Sequence, residues 1–181
     1  MGSAKPPAER RRREILDDPK GEKAARSAAL ALLARRDYSS AELRTKLLDR
    51  EFEAGLVDAL VTALQREKLV DDRRYVENFV TYHAGRGQGP VRIAAELRRL
   101  KVDGSLIDLH LDVGQDWVAR ARGVRRKKFG AREPGSYAEK AKQARFLQYR
   151  GFTGSQVRSA LGTDIDLDES HDDQDEAPLD E

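Results

Sequence analysis

Hydrophobic residues recur at helical spacing along most of the chain, in short runs separated by polar breaks. The clearest run contains five such residues: Leu56, Val57, Leu60, Val61 and Leu64. Apolar residues three and four positions apart lie on one face of an α-helix. Two shorter runs, over residues 28–33 and 43–48, precede this one. The pattern therefore predicts three short helices between residues 23 and 68.

The same pattern returns at a fixed offset of fifty residues. Nine apolar positions align in three sets: Leu47, Leu97 and Leu147; Phe52, Val102 and Phe152; Val57, Ile107 and Val157. A period of about fifty residues is typical of stacked helical modules, each of which is too small to bury a core alone. We therefore predict an all-α protein, an elongated, curved array of three tandem three-helix repeats of about 50 residues.

The repeats divide the chain into five segments. Residues 1–22 are expected to form a disordered basic N-terminal arm, because prolines and arginines dominate there without apolar periodicity. The three helical repeats then occupy residues 23–68, 69–114 and 115–162. Residues 163–181 are expected to form a disordered acidic tail, which either stays solvated or folds back over the basic body as a DNA mimic.

Polar residues mark where several helices begin. Ser39 with Glu42, Ser136 with Glu139 and Thr153 with Gln156 have the spacing of capping boxes. The second box lies 97 residues after the first, whereas the apolar positions are offset by 100. The middle helix of the last repeat should therefore be about one turn longer at its start.

One segment is ambiguous between helix and strand. Its apolar residues approach the alternation of a strand: Leu106, Ile107, Leu109, Leu111 and Val113. Asp103 is nevertheless a suitable N-cap, and the equivalent segment of the first repeat is helical. We therefore predict a helix.

Charge is distributed unevenly, although the net charge is only +2. Residues 163–181 contain ten Asp and Glu residues and no Lys or Arg. Residues 1–162 contain 34 basic and 22 acidic residues, a net charge of +12. A basic body of this kind indicates an anionic partner.

Several function classes find no support. The chain has no cysteine and only three isolated histidines, so neither a disulfide framework nor a metal site is indicated. No set of residues resembles a catalytic or cofactor-binding constellation, and we expect a non-enzymatic protein. No apolar run approaches the roughly 18 residues that span a bilayer, and no signal-peptide core is present. We expect a cytoplasmic monomer without membrane attachment.

A glycine-rich corner follows the first helix of the second repeat. It contains Gly85, Gly87, Gly89 and Pro90. Helix N-termini can bind anions, but the Gly-Lys-Ser/Thr ending of a phosphate-binding loop is absent. We interpret the corner as a structural bend between two helices.

Basic side chains are the candidate partner-binding residues. They are Arg73, Arg74, Arg86, Arg92, Arg98, Arg99, Lys101, Arg122, Arg125, Arg126, Lys127 and Lys128. Local pairing with Asp71 and Asp72 is an alternative for Arg73 and Arg74. The run from Arg125 to Lys128 is the densest positive patch, whereas Trp117 and Phe129 are expected in the core between helices.

Five stretches of this sequence together resemble the RecX family of bacterial regulators. They are Leu69–Phe79 (LVDDRRYVENF), Gly87–Ile93 (GQGPVRI), Arg145–Phe152 (RFLQYRGF), Ser40–Leu43 (SAEL) and Lys127–Gly130 (KKFG). The resemblance covers residues 24–162, and the order and spacing of the motifs are its strongest part.

The resemblance implies a modulator of the recombinase RecA that affects DNA repair and the SOS response. Family members bind in the groove of the RecA–DNA filament and suppress ATP hydrolysis, strand exchange and coprotease activity. The expected partners are the RecA filament and single-stranded DNA, with double-stranded DNA as a further candidate. The alternative is a DNA-binding protein with basic helix-turn-helix-like modules that acts without RecA.

Overall fold

The computed structural model describes residues 20–112 and 115–162, and all regular structure in these ranges is helical. Nine helices occur there: α1 (Glu22–Leu33), α2 (Ser40–Leu48), α3 (Ala54–Arg66), α4 (Asp72–Gly85), α5 (Pro90–Arg99), α6 (Gly104–Asp112), α7 (Trp117–Phe129), α8 (Tyr137–Tyr149) and α9 (Gly154–Leu161). The prediction of an all-α fold is confirmed. The acidic tail and most of the predicted N-terminal arm lie outside the described residues.

The fifty-residue repeat is visible in the core. All nine residues that align at this offset are buried, and six of them are completely inaccessible. The completely buried ones are Leu47, Leu97, Leu147, Val57, Ile107 and Val157. Burying a leucine, isoleucine or valine side chain contributes about 1.5–3 kcal/mol, so each module repeats its main stabilising contacts at the same positions.

The turn after the second helix of each repeat is also the same. Glu51, Lys101 and Gly151 all have positive φ, at 63°, 59° and 90°. At each site the next residue donates a backbone hydrogen bond five positions back, as Phe152 does to the Leu147 carbonyl at 3.1 Å. This arrangement is a Schellman motif, in which a left-handed residue satisfies the last carbonyls of a helix.

The predicted caps are present, but only one is a complete capping box. Thr153 accepts from the Gln156 amide, and the Gln156 side chain accepts from the Thr153 amide at 3.0 Å. Ser39 and Ser136 also cap their helices. The two glutamates predicted to complete their boxes bond elsewhere: Glu42 to Arg36, and Glu139 to the Gly135 amide at 2.7 Å. The capping-box prediction is wrong for these two carboxylates.

Two further predictions about helices are confirmed. Helix α8 has 13 residues and its counterpart α2 has nine, a difference of about one turn. Residues 104–112 form helix α6 rather than a strand. The Asp103 carboxylate accepts from the Ser105 hydroxyl and from the amides of Leu106 and Ser105. These hydrogen bonds, above all the one from the hydroxyl, lower the pKa of Asp103.

The described residues form two compact units. The first contains the residues up to Arg86 together with Ile93–Gln115, and the second contains Gly87–Arg92 and the residues from Asp116 onward. In the first unit, α1, α2 and α3 pack on one another around a common core, and α4 packs on α6. In the second unit, α7, α8 and α9 are in mutual contact. No helix in the described ranges is long and apolar enough to cross a membrane.

Candidate partner-binding surface

Positive charge is concentrated in the helices of the second unit. Residues 116–162 contain twelve Lys and Arg residues and three Asp and Glu residues, a net charge of +9. Residues 20–115 contain 17 basic and 15 acidic residues, a net charge of only +2. Most of the basic excess of the body therefore belongs to α7, α8 and α9 and their connecting loops.

Basic residues of the first unit frequently pair with carboxylates of the same unit. The pairs include Lys20–Glu51, Arg26–Glu67, Arg36–Glu42, Arg44–Asp58, Arg74–Asp37 and Arg98–Asp108. The hydrogen bond from Arg44 lowers the pKa of Asp58, and the one from Arg26 lowers the pKa of Glu67. These exposed pairs largely neutralise the local field, which weakens the case for an anion-binding surface on this unit.

Three cations of the predicted patch on α7 are well placed for a partner. Arg126, Lys127 and Lys128 are exposed in the last turn of the helix. None of them pairs with a carboxylate of a described residue. Arg122 is also exposed, and it donates to the Ser159 carbonyl of α9 at 2.9 Å. We refer to Arg126, Lys127 and Lys128 as the α7 cation cluster. Among the predicted partner-binding residues, the geometry supports these three best.

Arg125 does not belong to this surface. It is 6% exposed and lies on the buried face of α7 with Trp117 and Ala121. Its guanidinium donates to the Arg132 carbonyl at 3.0 Å and to Gln143 Oε1 at 3.3 Å. Arg125 therefore holds the loop between α7 and α8 against the core, and its assignment to the solvent-facing patch is wrong.

The candidate residues of α4 have different environments. Arg73 is exposed and lines a cavity of about 400 Å³ with residues of α4 and α6, among them Glu77 and His110. The side chain of Arg74 lies 3.7 Å from Asp37 rather than pairing with its neighbours. Arg86 donates to the Tyr82 hydroxyl at 3.0 Å and lies over its ring.

The predicted local partners of Arg73 and Arg74 cap helices instead. Asp71 accepts from the Arg74 amide as the N-cap of α4. Asp72 accepts from the amide and hydroxyl of Ser40 at the start of α2. The prediction of local side-chain pairing is therefore wrong for Arg74, and Asp72 instead ties the second repeat to the first.

The basic ridge predicted on the second repeat is divided. Arg98, Arg99 and Lys101 are exposed in the first unit, where Arg98 approaches Asp108 at 3.4 Å. Arg92 is exposed too, but it belongs to the second unit. Its backbone packs against Gly151, where a Cβ atom would lie 2.4 Å from the Arg92 Cβ. The four ridge residues are exposed as predicted, but they belong to two different units.

The glycine corner makes a close backbone contact inside the second unit. Gly89 donates to the Arg150 carbonyl at 2.8 Å, and Val91 donates to the Gly151 carbonyl at 3.0 Å. A Cβ on Gly89 would lie 2.3–2.4 Å from backbone atoms of Gly151 and Phe152. The corner is therefore more than a bend, because it brings two of the motif stretches into direct contact.

Of the two aromatic residues expected in the core, Trp117 is buried and Phe129 is only partly buried. Trp117 is 8% exposed, and Phe129 packs edge-on against Phe146 with ring centroids 5.3 Å apart. Sequence reasoning missed another group on α8, where Lys142, Arg145 and Tyr149 are exposed at helical spacing. The signal was present in the Arg145–Phe152 stretch, in which apolar residues alternate with cations and tyrosine.

Comparison with known proteins explains the common pattern of the three modules. Family models for the first, second and third three-helix domains of RecX match residues 25–64, 71–111 and 115–161, in that order. The chain belongs to the RecX family. The resemblance inferred from the motifs is thereby confirmed, together with the three tandem three-helix domains.

RecX relatives match over most of their own length. The chain is 48% identical to regulatory protein RecX of Halorhodospira halophila over 147 residues, which cover 81% of this chain and 91% of the relative. It is 40% identical to regulatory protein RecX of Pseudomonas fluorescens over 139 residues, covering 76% and 90%. The crystal structure of RecX from Lactobacillus salivarius has a TM-score of 0.69 at 18% identity, covering 78% of this chain and 94% of that one. It shows that the fold is shared.

Proposed function

We propose that this RecX-family chain is a negative modulator of the recombinase RecA. It binds in the groove of the RecA–DNA filament and inhibits ATP hydrolysis, strand exchange and coprotease activity, thereby affecting DNA repair and the SOS response. The observation that carries the proposal is the ordered match of three RecX domains between residues 25 and 161.

The charge distribution suggests how the chain engages such a filament. A filament on DNA presents phosphates along its length, and the second unit has a net charge of +9 over residues 116–162. The α7 cation cluster contributes three of these charges without pairing to a described carboxylate. Unpaired surface cations steer association with an anionic partner and make it sensitive to salt.

Tandem modules suggest how binding becomes inhibition. One chain with several domains can contact neighbouring RecA subunits and hold them in a single arrangement. ATP turnover requires cyclic changes between subunits, so this restraint lowers the rate of hydrolysis. Occupation of the groove also excludes the incoming duplex and a coprotease substrate. A modulator shifts the filament toward one state only by as much as it binds that state more tightly than the other.

The test is to add the full chain in substoichiometric amounts to cognate RecA, single-stranded DNA and ATP. We expect both ATP hydrolysis and strand exchange to fall. Unchanged rates would refute the proposal. A DNA-binding protein that acts without RecA must instead cover the DNA to interfere, so it would be active only near stoichiometric coverage. The dependence on amount therefore separates the two functions.

A further inference from the structure

Helix α8 carries two cations and a tyrosine along its exposed face. Lys142, Arg145 and Tyr149 are spaced by three and four residues, which places them on one side of the helix. The buried residues Gln143, Ala144 and Leu147 lie on the opposite side. We refer to Lys142, Arg145 and Tyr149 as the α8 stripe.

The α8 stripe is not occupied by the rest of the described chain. Tyr149 is 78% exposed and has no ring or hydrogen-bond partner among the described residues. Lys142 and Arg145 are exposed and pair with no described carboxylate. By contrast, Tyr38 is buried beneath Arg36, and Tyr75 lies in the core, where burial raises its pKa to about 12.

We propose that the α8 stripe binds single-stranded DNA, with Lys142 and Arg145 contacting phosphates and Tyr149 stacking on a base. Sites of this kind combine cations along the backbone with exposed aromatic rings. The stripe extends over the eight residues 142–149, a rise of about 10 Å, which matches two or three nucleotides. This proposal deepens the proposed function by assigning a contact to the DNA strand of the filament.

The surroundings favour DNA over a protein partner. A protein-binding hot spot usually places an aromatic residue within a desolvated apolar patch. Tyr149 lies between polar Gln148 and cationic Arg150 along the chain, and the Arg150 guanidinium lies over the ring of the partly buried Phe146. No large aliphatic side chain is exposed on α8, and the surrounding module has a net charge of +9. Such a surface is complementary to a phosphate backbone with accessible bases.

The decisive experiment measures binding of the full chain, without RecA, to a fluorescently labelled 30-nucleotide thymidine strand by anisotropy at several salt concentrations. Tyr149→Ala should weaken binding about 5- to 150-fold, the range expected for loss of one stacked base. The salt dependence should stay unchanged, because no charge is removed. Tyr149→Phe keeps the ring and should bind like the wild type.

The cations should give the opposite signature. Lys142→Ala and Arg145→Ala should each reduce the slope of log affinity against log salt by about 0.7. Two controls remove matched groups outside the stripe. Tyr137→Ala deletes another exposed tyrosine on a different side of α8, and Lys46→Ala deletes an exposed lysine of α2. Both controls should bind like the wild type.

An abasic strand of the same length tests stacking directly. The wild type and Tyr149→Ala should bind this strand equally, because it has phosphates but no bases. Lack of binding to the thymidine strand, or equal binding by Tyr149→Ala and wild type, would overturn the proposal. Loss of RecA inhibition in Tyr149→Ala with unchanged DNA binding would assign the stripe to a protein contact and also overturn it. Inhibition of RecA by a chain that fails to bind DNA would leave the proposed function intact.

Discussion

The contact between Gly89 and Gly151 should make the second unit intolerant of a single added methyl group. A Cβ on Gly89 would lie 2.3 Å from the Gly151 carbonyl carbon and 2.4 Å from both the Gly151 oxygen and the Phe152 nitrogen. All three are backbone atoms, so no side-chain rotation can relieve the overlap. In Gly89→Ala the two segments must separate.

The cost follows from the hydrogen bonds that separation breaks. Gly89 and Val91 donate to Arg150 and Gly151 at 2.8 and 3.0 Å, and each such bond contributes about 0.5–1.5 kcal/mol. Their loss alone gives about 2 kcal/mol. For a unit of this size, that corresponds to a melting temperature lower by about 8–16 °C.

Thermal unfolding monitored by circular dichroism, with amide hydrogen exchange of residues 87–92, provides the assay. Exchange at Gly89 and Val91 should accelerate in Gly89→Ala. The matched control is Gly123→Ala in α7, where a Cβ meets nothing within 4 Å and helix propensity favours alanine by about 1 kcal/mol. A Gly89→Ala chain as stable as Gly123→Ala would refute the close-contact reasoning.

Three further predictions concern stability and are checked by thermal or urea unfolding. Arg125→Ala should destabilise the second unit by about 2–4 kcal/mol, since the buried Gln143 side chain and the partly buried Arg132 carbonyl lose their donor, whereas Arg126→Ala should be nearly neutral. Equal effects would contradict the buried position of Arg125. Lys101→Gly should stabilise by up to about 1 kcal/mol because its φ is 59°, whereas Gly151→Ala at the equivalent position should destabilise. Folding lowers the pKa of Asp103, so its contribution to the free energy of unfolding is present above the unfolded-state pKa and is lost as the pH falls through the folded-state pKa. Asp103→Asn should keep the helix cap and make the free energy of unfolding less dependent on pH in this range. An unchanged dependence on pH would contradict this prediction.

The helical modules were predictable because the pattern that specifies them is local and repeated. Leu47, Leu97 and Leu147 stand at one offset with matching polar breaks, and each is completely buried. The ambiguous segment after Asp103 was assigned correctly by analogy with the first repeat. Periodicity sufficed here because short helices and their packing faces depend mainly on nearby residues.

Tertiary contacts were harder to predict. Position 151 carries the glycine that a left-handed turn favours, but Glu51 and Lys101 adopt the same conformation without being glycine. The partner of Gly89 lies 62 residues away at Gly151, and nothing in the glycine corner indicates it. Glu42 and Glu139 missed their capping boxes because Arg36 and the Gly135 amide compete for them.

The candidate surface was predictable as a region of charge and not as individual residues. Within the run Arg125–Lys128, composition alone does not distinguish the buried member from the exposed ones. The available signal was the spacing of four from Trp117 through Ala121 to Arg125, which places the arginine on the buried face. The α8 stripe was missed because its residues are polar and lie between core positions of a motif.

The most direct test of the central claim compares RecA-dependent ATP hydrolysis with three forms of the full chain. One is the wild type, the second carries Arg126→Gln, Lys127→Gln and Lys128→Gln, and the third carries Arg35→Gln, Lys46→Gln and Arg50→Gln. Each variant loses three exposed positive charges. The second form loses them from the α7 cation cluster, and the third form loses them from the first unit. We predict strong inhibition by the wild type and the third form, and weakened inhibition by the second at unchanged helicity. Equal inhibition by all three forms would contradict a role for the α7 cation cluster, and no inhibition by any of them would contradict regulation of RecA by this chain.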